Sequence, residues 1–162
     1  VLAEGLARLA GAGRPSCIEV GLAALLHDAG KLFWTPDLRA RDLRSDDEEE
    51  LELILDHPAE GLAALLSSPQ LPALTFIVAF EHHLGFNGTG FPRLQRPRRP
   101  HAASRLVRVA DAFDTLHTAW AARPHASRQS PLAWLAERSG TQLDPIWVNA
   151  LTALATAAPA GL

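Results

Sequence analysis

Glycine and proline divide this chain into segments of helical length, and no segment alternates apolar with polar residues as a half-buried strand would. Gly11–Pro15 closes a first short segment. The next segment carries Leu22, Leu25 and Leu26 at helical spacing. Tyrosine, a residue that strands favour, is absent. We therefore predict an all-α fold, a bundle of about seven or eight helices.

Capping residues and prolines indicate where helices begin. Serine and aspartate side chains accept hydrogen bonds from the free N–H groups of a first turn, and proline suits that turn because it needs no such bond. The candidate starts are Ser16, the capping box of Ser45 and Glu48, Pro72, Ser130–Pro131 and Asp144–Pro145.

One long irregular stretch, Leu84–Pro100, separates the helices predicted over residues 73–83 and 102–122. Stretches of this length are uncommon unless they are functional or disordered. We interpret its arginines as part of a solvated, mobile loop, with binding to a phosphate or to an acidic partner as the alternative. They are Arg93, Arg96, Arg98 and Arg99.

The composition excludes several classes of protein. A net charge of −3 provides no basic surface for duplex nucleic acid. The apolar runs are shorter than the roughly 20 residues of a membrane span. A single cysteine excludes an internal disulfide framework and fits a reducing, cytoplasmic setting. The length suits one domain over residues 1–162, and because the chain has no methionine we expect it to be the C-terminal part of a longer protein.

Histidines and aspartates cluster at or near the ends of apolar segments, where side chains can point inwards and still find polar neighbours. Imidazole and carboxylate groups together suit iron, manganese, zinc or nickel. Asp28 and Asp111 lie within strongly apolar stretches, so a metal or a salt bridge must offset the cost of burying them. The candidate ligands are His27, Asp28, His57, His82, His83, Asp111 and Asp114.

The spacing favours two metal ions over one. Neighbouring helical residues point about 100° apart, so the two members of His27–Asp28 and of His82–His83 reach an ion differently. A carboxylate lying between two ions would bridge them. Lys31, the only lysine, follows His27 by one turn and suits a phosphate oxygen. Simpler interpretations stay open: His57 bonded at its own helix end, Asp111 as a helix contact, and Lys31 offsetting a helix dipole.

These residues lie in sequence blocks that resemble one family. His27 to Lys31, HDAGK, resembles the HD motif of the HD phosphohydrolase superfamily. His82 to Pro92, HHLGFNGTGFP, resembles the HHExxDGxGYP signature of the HD-GYP group. The other blocks follow in the expected order with compatible spacing, so the resemblance covers about residues 22–154. They are His57–Pro58 with Gly61, Val109–Asp111 with Phe113–Asp114, Ala122–Pro124 and Gly140–Pro145.

The resemblance implies an all-α bacterial signalling domain that hydrolyses cyclic di-GMP by means of a metal-bound hydroxide. It implies two or three metal ions, often iron or manganese, with Asp28 bridging two of them. Asp28 and Lys31 would be the catalytic residues. The implied metal ligands are His27, Asp28, His57, His82, His83 and Asp111, and the implied substrate-facing residues are Lys31, Asp114, Arg123 and Phe91.

Partners also follow from the resemblance. A cyclic dinucleotide is the expected substrate, and the Gly88–Pro92 loop is the expected contact for a GGDEF-type signalling protein. A homodimer is a further expectation. The Glu and His that trinuclear members carry upstream would fall before Val1, so the chain as given supports two metal ions.

The chain departs from the family signature at several positions. Leu84 replaces a glutamate, Asn87 an aspartate and Phe91 a tyrosine, while Ala126 replaces a basic residue. Three functions therefore stay open: an active cyclic di-GMP phosphodiesterase, a non-catalytic cyclic-dinucleotide sensor or interaction module, and a hydrolase of another nucleotide. Retention of all six implied ligands favours the enzyme.

Overall fold

The computed structural model describes residues 2–39, 48–122 and 129–157, and within them the chain forms helices and no β-strand. The all-α prediction is confirmed. No helix in these ranges has the length and apolarity that crossing a membrane requires. A 3₁₀ turn, Ala29–Phe33, follows the second helix. The described α-helices are α1 (Leu2–Leu9), α2 (Arg14–Leu26), α3 (Pro36–Arg39), α4 (Glu48–Leu65), α5 (Ala73–Glu81), α6 (Ala102–Ala122), α7 (Pro131–Arg138) and α8 (Pro145–Ala157).

The main hydrophobic core surrounds α6, which packs against α1, α2, α5, α7 and α8. An apolar face of α6 accounts for this position, since Leu106, Val109 and Ala110 are buried there. Leu6 of α1 and Leu135 of α7 are fully buried against the same core. Burying each such side chain stabilises the fold by roughly 1.5–3 kcal/mol. The core thus holds α2, α5 and α6 together, and these helices carry most of the candidate ligands.

The predicted helix starts at Ser130 and Asp144 are confirmed. Ser130 Oγ accepts a hydrogen bond from Ala133 N, and Asp144 Oδ1 accepts one from Ile146 N. Each side chain satisfies an N–H group that has no partner within the first turn. The capping box at Ser45 lies outside the described residues.

Two other predicted boundaries were wrong. Helix α2 starts at Arg14 instead of after Ser16, because Gly13 occupies the N-cap position and Pro15 fits the first turn. Helix α5 starts at Ala73 with Pro72 in the N-cap position, and it ends at Glu81 instead of His83. The backbone beyond Glu81 turns into the loop, which changes the direction of the last two histidines relative to the helix.

The 3₁₀ turn lies against α4 at an unusually short distance. A Cβ atom on Gly30 would be 2.0 Å from the carbonyl oxygen of His57, and one on Gly61 would be 3.0 Å from the amide nitrogen of Gly30. Glycine at both positions therefore allows the two backbones to touch. Trp34 and Ile54, which follow Gly30 and precede His57 in the sequence, are buried in one small hydrophobic cluster. The arrangement brings the end of α2 next to His57.

The loop Leu84–Pro100 is bonded to the segment before α8. Phe86 N donates to Gln142 O (3.0 Å), and Asn87 N donates to Thr141 O (2.9 Å). Gly90 has a φ of 103°, and a Cβ atom there would be 2.2 Å from the carbonyl oxygen of His83, so only glycine fits. The loop therefore folds back onto the end of α5.

The interpretation of the loop arginines as a free solvated segment is wrong for two of them. Arg98 Nη2 forms an ion pair with Glu81 Oε1 at 2.5 Å. The guanidinium carbon of Arg99 lies 4.3 Å from the ring centre of Phe86. The Glu81 carboxylate and the Phe86 ring therefore contact these two arginine side chains within the chain itself.

Candidate metal centre

Three histidines bind their own backbone in the same way, through Nδ1 and the carbonyl oxygen three residues earlier. The distances are 2.7 Å from His27 to Ala24 O, 2.6 Å from His57 to Ile54 O and 2.9 Å from His82 to Ala79 O. A carbonyl only accepts, so each Nδ1 carries the proton. In its neutral form each ring therefore presents an unprotonated Nε2, which is the form that binds a metal.

Each of these carbonyls is free for a local structural reason. His27 and His82 are the C-cap residues of α2 and α5, where the last carbonyls of a helix lack helical partners. His57 lies in the middle of α4, but Pro58 follows it and has no N–H to offer to Ile54 O. The proline explains how a histidine inside a helix adopts the geometry of a histidine at a helix end.

The Asp28 carboxylate lies at the centre of the site. Its Oδ1 is 3.3 Å from His57 Nε2 and 3.4 Å from His82 Nε2. Its Oδ2 is 3.3 Å from His27 Nε2 and 2.5 Å from Lys31 Nζ. The two oxygens therefore face two different sets of side chains, as the bridging interpretation of Asp28 requires.

Atoms that can only accept hydrogen bonds converge on the Oδ1 side of Asp28. His57 Nε2 and His82 Nε2 are 3.1 Å apart, and both rings already donate through Nδ1. His83 Nε2 is buried and has no hydrogen-bond partner among the described residues. Ligand atoms of Asp28, His57, His82 and His83 all lie within 4.8 Å of one another. This convergence of lone pairs fits a bound cation.

His83 also contacts the loop. Its ring stacks on Phe91 with ring centres 4.3 Å apart and planes inclined by 23°, and His57 lies edge-on to the same phenyl ring. Phe91, predicted to face substrate, thus covers two of the candidate ligands. The Gly90 backbone against His83 is what brings the phenyl ring there.

Asp111 lies on the other side of the centre. Its Oδ1 is 3.6 Å from His27 Nε2, so these two residues and Asp28 Oδ2 form a second group beside the first. Asp111 and His27 line a cavity of about 240 Å³ together with Asp114, which is exposed at its edge. The structure therefore brings together all six ligands that the resemblance implies, with Lys31 and Asp114 next to them. Arg123 lies outside the described residues.

The charges of the metal-free site follow from burial and from these contacts. Burial acts to lower the pKa of His27, but the carboxylates of Asp111 and Asp28 outweigh it and raise that pKa to about 10. Burial acts to raise the pKa of Asp28, yet His27, His57 and His82 hold it well below its usual range. Burial lowers the pKa of His82 and of His83. The metal-free site thus contains ionised carboxylates, neutral imidazoles at His82 and His83, and a protonated His27 that must lose its proton to bind a metal.

Two residues of this region were missed at the sequence level. The Glu81 carboxylate is buried, accepts hydrogen bonds from His101 N (2.7 Å) and Ser104 Oγ (2.9 Å), and so joins α5 to the start of α6. Its sequence signal was a charged residue in an otherwise apolar helix. The Arg108 guanidinium is largely buried, which lowers its pKa, and it donates to the carbonyl oxygen of His82 at 3.2 Å. No spacing rule pointed to Arg108.

Comparison with known proteins identifies the family. A family model described as HD domain matches residues 1–146. The chain belongs to the HD domain family. This membership confirms the resemblance found in the HD motif. It also implies that the His/Asp cluster of the HD domain binds divalent metal, and the converging acceptor atoms fit such an ion.

Individual proteins resemble this HD domain as well. It is 30% identical over 138 residues to a cyclic di-GMP phosphodiesterase of Vibrio cholerae, covering 82% of this chain and 28% of that protein. It is 30% identical over 133 residues to the cyclic di-GMP phosphodiesterase response regulator RpfG of Xanthomonas campestris, covering 82% of this chain and 35% of that protein. The chain therefore spans much less than the full length of either relative.

A solved structure shares the fold. Bd1817, an HDG"Y"P protein from Bdellovibrio bacteriovorus, superposes with a TM-score of 0.72 at 23% identity, over 93% of this chain and 48% of that chain. The agreement extends across nearly all of this chain, so the two proteins share the same helical fold.

Proposed function

We propose that this HD domain is a metal-dependent phosphodiesterase that hydrolyses cyclic di-GMP. The observation that carries the proposal is the convergence of Asp28 Oδ1, His57 Nε2 and His82 Nε2, which are 3.1–3.4 Å apart without a proton donor between them. The names of the two curated relatives point to cyclic di-GMP as the substrate.

Two divalent ions fit the donor set better than one. Asp28 Oδ1 with His57, His82 and His83 would hold one ion, and Asp28 Oδ2 with His27 and Asp111 would hold the other. Imidazole and carboxylate donors suit iron or manganese, and also zinc or nickel. Bound there, the ions would activate water and offset the negative charge that develops on the phosphoryl oxygens.

The protein's own groups would position the substrate. Lys31 holds its ammonium 2.5 Å from Asp28 Oδ2, beside the carboxylate that joins the two groups, and would donate a hydrogen bond to a phosphoryl oxygen. Asp114, at the edge of the 240 Å³ cavity beside His27, would accept hydrogen bonds from the nucleotide. A role for Arg123 in substrate binding, a GGDEF-type partner at Gly88–Pro92 and a homodimer stay predictions.

Three departures from the family signature, Leu84, Asn87 and Phe91, lie in the loop and leave the implied ligands unchanged, while Ala126 lies outside the described residues. Asn87 Oδ1 accepts hydrogen bonds from Thr89 N (3.1 Å) and Thr89 Oγ1 (2.7 Å), an acceptor role that an aspartate would also perform. Leu84 is buried under the loop at 1% exposure. The loss of a glutamate at Leu84 is the observation that favours the second candidate, a cyclic-dinucleotide sensor that binds without hydrolysis.

One assay separates these functions. The metal-loaded protein is incubated with cyclic di-GMP, and the products are resolved by chromatography. We expect linear dinucleotide or GMP from the parent protein and from the matched control Asp37→Asn, whose residue is exposed on α3 and is not part of the cluster. Asp28→Asn should form no product. Binding of cyclic di-GMP without any product would support the sensor and overturn the enzyme.

A further inference from the structure

A cavity of about 220 Å³ opens beside the candidate metal centre, between α6, α7 and the segment before α8. His83 and Asp111 form the side that it shares with the centre. Most of the remaining wall is apolar, and it includes an indole. The other lining residues are Arg108, Ala112, Thr115, Leu116, Trp134 and Leu143.

Arg108 is the one cationic group in this wall. Its Nε donates to Gln142 O at 3.3 Å and its Nη1 to His82 O at 3.2 Å. A guanidinium has five N–H groups, so three remain available, and no carboxylate among the described residues forms an ion pair with it. The two carbonyl bonds fix the plane of the guanidinium, since they hold it at two points.

These features match one part of a cyclic dinucleotide. A mostly apolar cavity with a few placed polar groups is the usual form of a small-molecule site. A guanidinium held in plane pairs well with two adjacent acceptors, such as O6 and N7 of guanine, whereas adenine presents a donor amino group in place of O6. A phosphate would leave the apolar walls without a partner.

Resting on the proposed function, we propose that this cavity receives a guanine base of the substrate and that Arg108 distinguishes guanine from adenine. The cavity shares His83 and Asp111 with the metal centre, so a base bound there belongs to a nucleotide whose phosphate lies at that centre. Thr115 offers a hydroxyl on the same wall, and Trp134 offers an aromatic surface against which a base can pack.

The test compares GMP with AMP, which carry the same ribose and phosphate and are not phosphodiesters. Each is titrated into the metal-loaded protein by calorimetry, so any difference in affinity reports the base alone. We expect GMP to bind at least about tenfold more tightly than AMP. Arg108→Gln should abolish this preference, because its amide no longer matches O6 and N7 of guanine. Arg14→Gln, at an exposed arginine, should keep it.

Two results would overturn the inference. Equal affinities of GMP and AMP for the parent protein would show that no base is read. Equal weakening of both ligands by Arg108→Gln would assign Arg108 to a phosphate. Ala112→Leu provides a second variant should Arg108→Gln not fold, because it fills the cavity without removing a hydrogen bond, and it should weaken GMP at least about tenfold while metal content is retained.

Phosphodiesterase activity is measured separately with bis(p-nitrophenyl) phosphate, a phosphodiester that has no base. Hydrolysis of this compound without a preference for GMP would overturn the base site and support the phosphodiesterase activity. A preference for GMP without any hydrolysis of this compound would support the base site and overturn the phosphodiesterase activity.

Discussion

Replacing Gly30 with alanine should push the 3₁₀ turn away from α4 and disable the candidate metal centre. The added Cβ atom would lie 2.0 Å from His57 O and 2.9 Å from Gly61 N, and real Cβ atoms essentially never come within 3.0 Å of another heavy atom. Both obstructing atoms belong to the backbone, so no side-chain rotation relieves the contact. The turn must move by about 1 Å, the difference between 2.0 Å and 3.0 Å.

The size of the effect follows from this displacement. Overpacking of this kind costs about 1–3 kcal/mol, and an obstruction made only of backbone falls at the upper end. At about 2–4 °C per kcal/mol for a chain of this size, Tm should fall by about 6–12 °C. Moving the turn also carries Asp28 away from His57, so metal affinity should fall by about 10- to 100-fold.

Calorimetric unfolding of the metal-free protein checks the expected fall in Tm, and metal analysis of the loaded protein checks the expected loss of metal binding. Measuring Tm without metal separates the steric effect from lost metal binding. Gly5→Ala is the matched control, because a Cβ atom on Gly5 in α1 has no atom within 4 Å, and alanine favours a helix. A Gly30→Ala protein with the Tm and metal content of the parent would refute the reasoning.

Three further predictions concern single contacts. Pro58→Ala restores a helical N–H that can bond to the Ile54 carbonyl in place of His57 Nδ1, so Tm should rise by several degrees while metal affinity falls about tenfold. Unchanged metal affinity would mean that the free Ile54 carbonyl does not orient His57 for the metal. Asp144→Ala removes the buried partner of Arg105, so the free energy of unfolding in urea should fall by about 3–5 kcal/mol, and a loss under 1 kcal/mol would contradict it. Because the pKa of His27 is raised to about 10 in the metal-free protein, a metal ion must displace the His27 proton, and the apparent metal affinity should increase as pH rises towards 10. The heats of metal binding measured in two buffers of different ionisation enthalpy should therefore differ, and identical heats would exclude proton release.

Much of the fold was accessible from the sequence, because its signals are local. The caps at Ser130 and Asp144 and the apolar face of Ala102–Ala122 each depend on a few neighbouring residues. The boundary errors at Ser16, Pro72 and His83 are shifts of one to three residues. The number and type of the helices did not depend on those shifts.

The site was only partly accessible from the sequence. Residue types and adjacency pointed to the candidate ligands, whereas the contacts that orient them depend on tertiary structure. The close approach of Gly30 to His57 joins segments 27 residues apart, and no pattern within either segment encodes it. Arg108 was invisible for the same reason, since its carbonyl partners belong to α5 and to the segment before α8. The loop arginines were misjudged because their partners, Glu81 and Phe86, could not be paired with them by spacing.

Anomalous diffraction from crystals of the manganese- or iron-loaded protein tests the central claim most directly, because it locates each ion. We predict two anomalous peaks, both within about 2.3 Å of an Asp28 oxygen. One should also contact nitrogens of His57, His82 and His83, and the other should contact His27 and Asp111. The absence of a peak at this cluster, or metal bound without any contact to Asp28, would contradict the account.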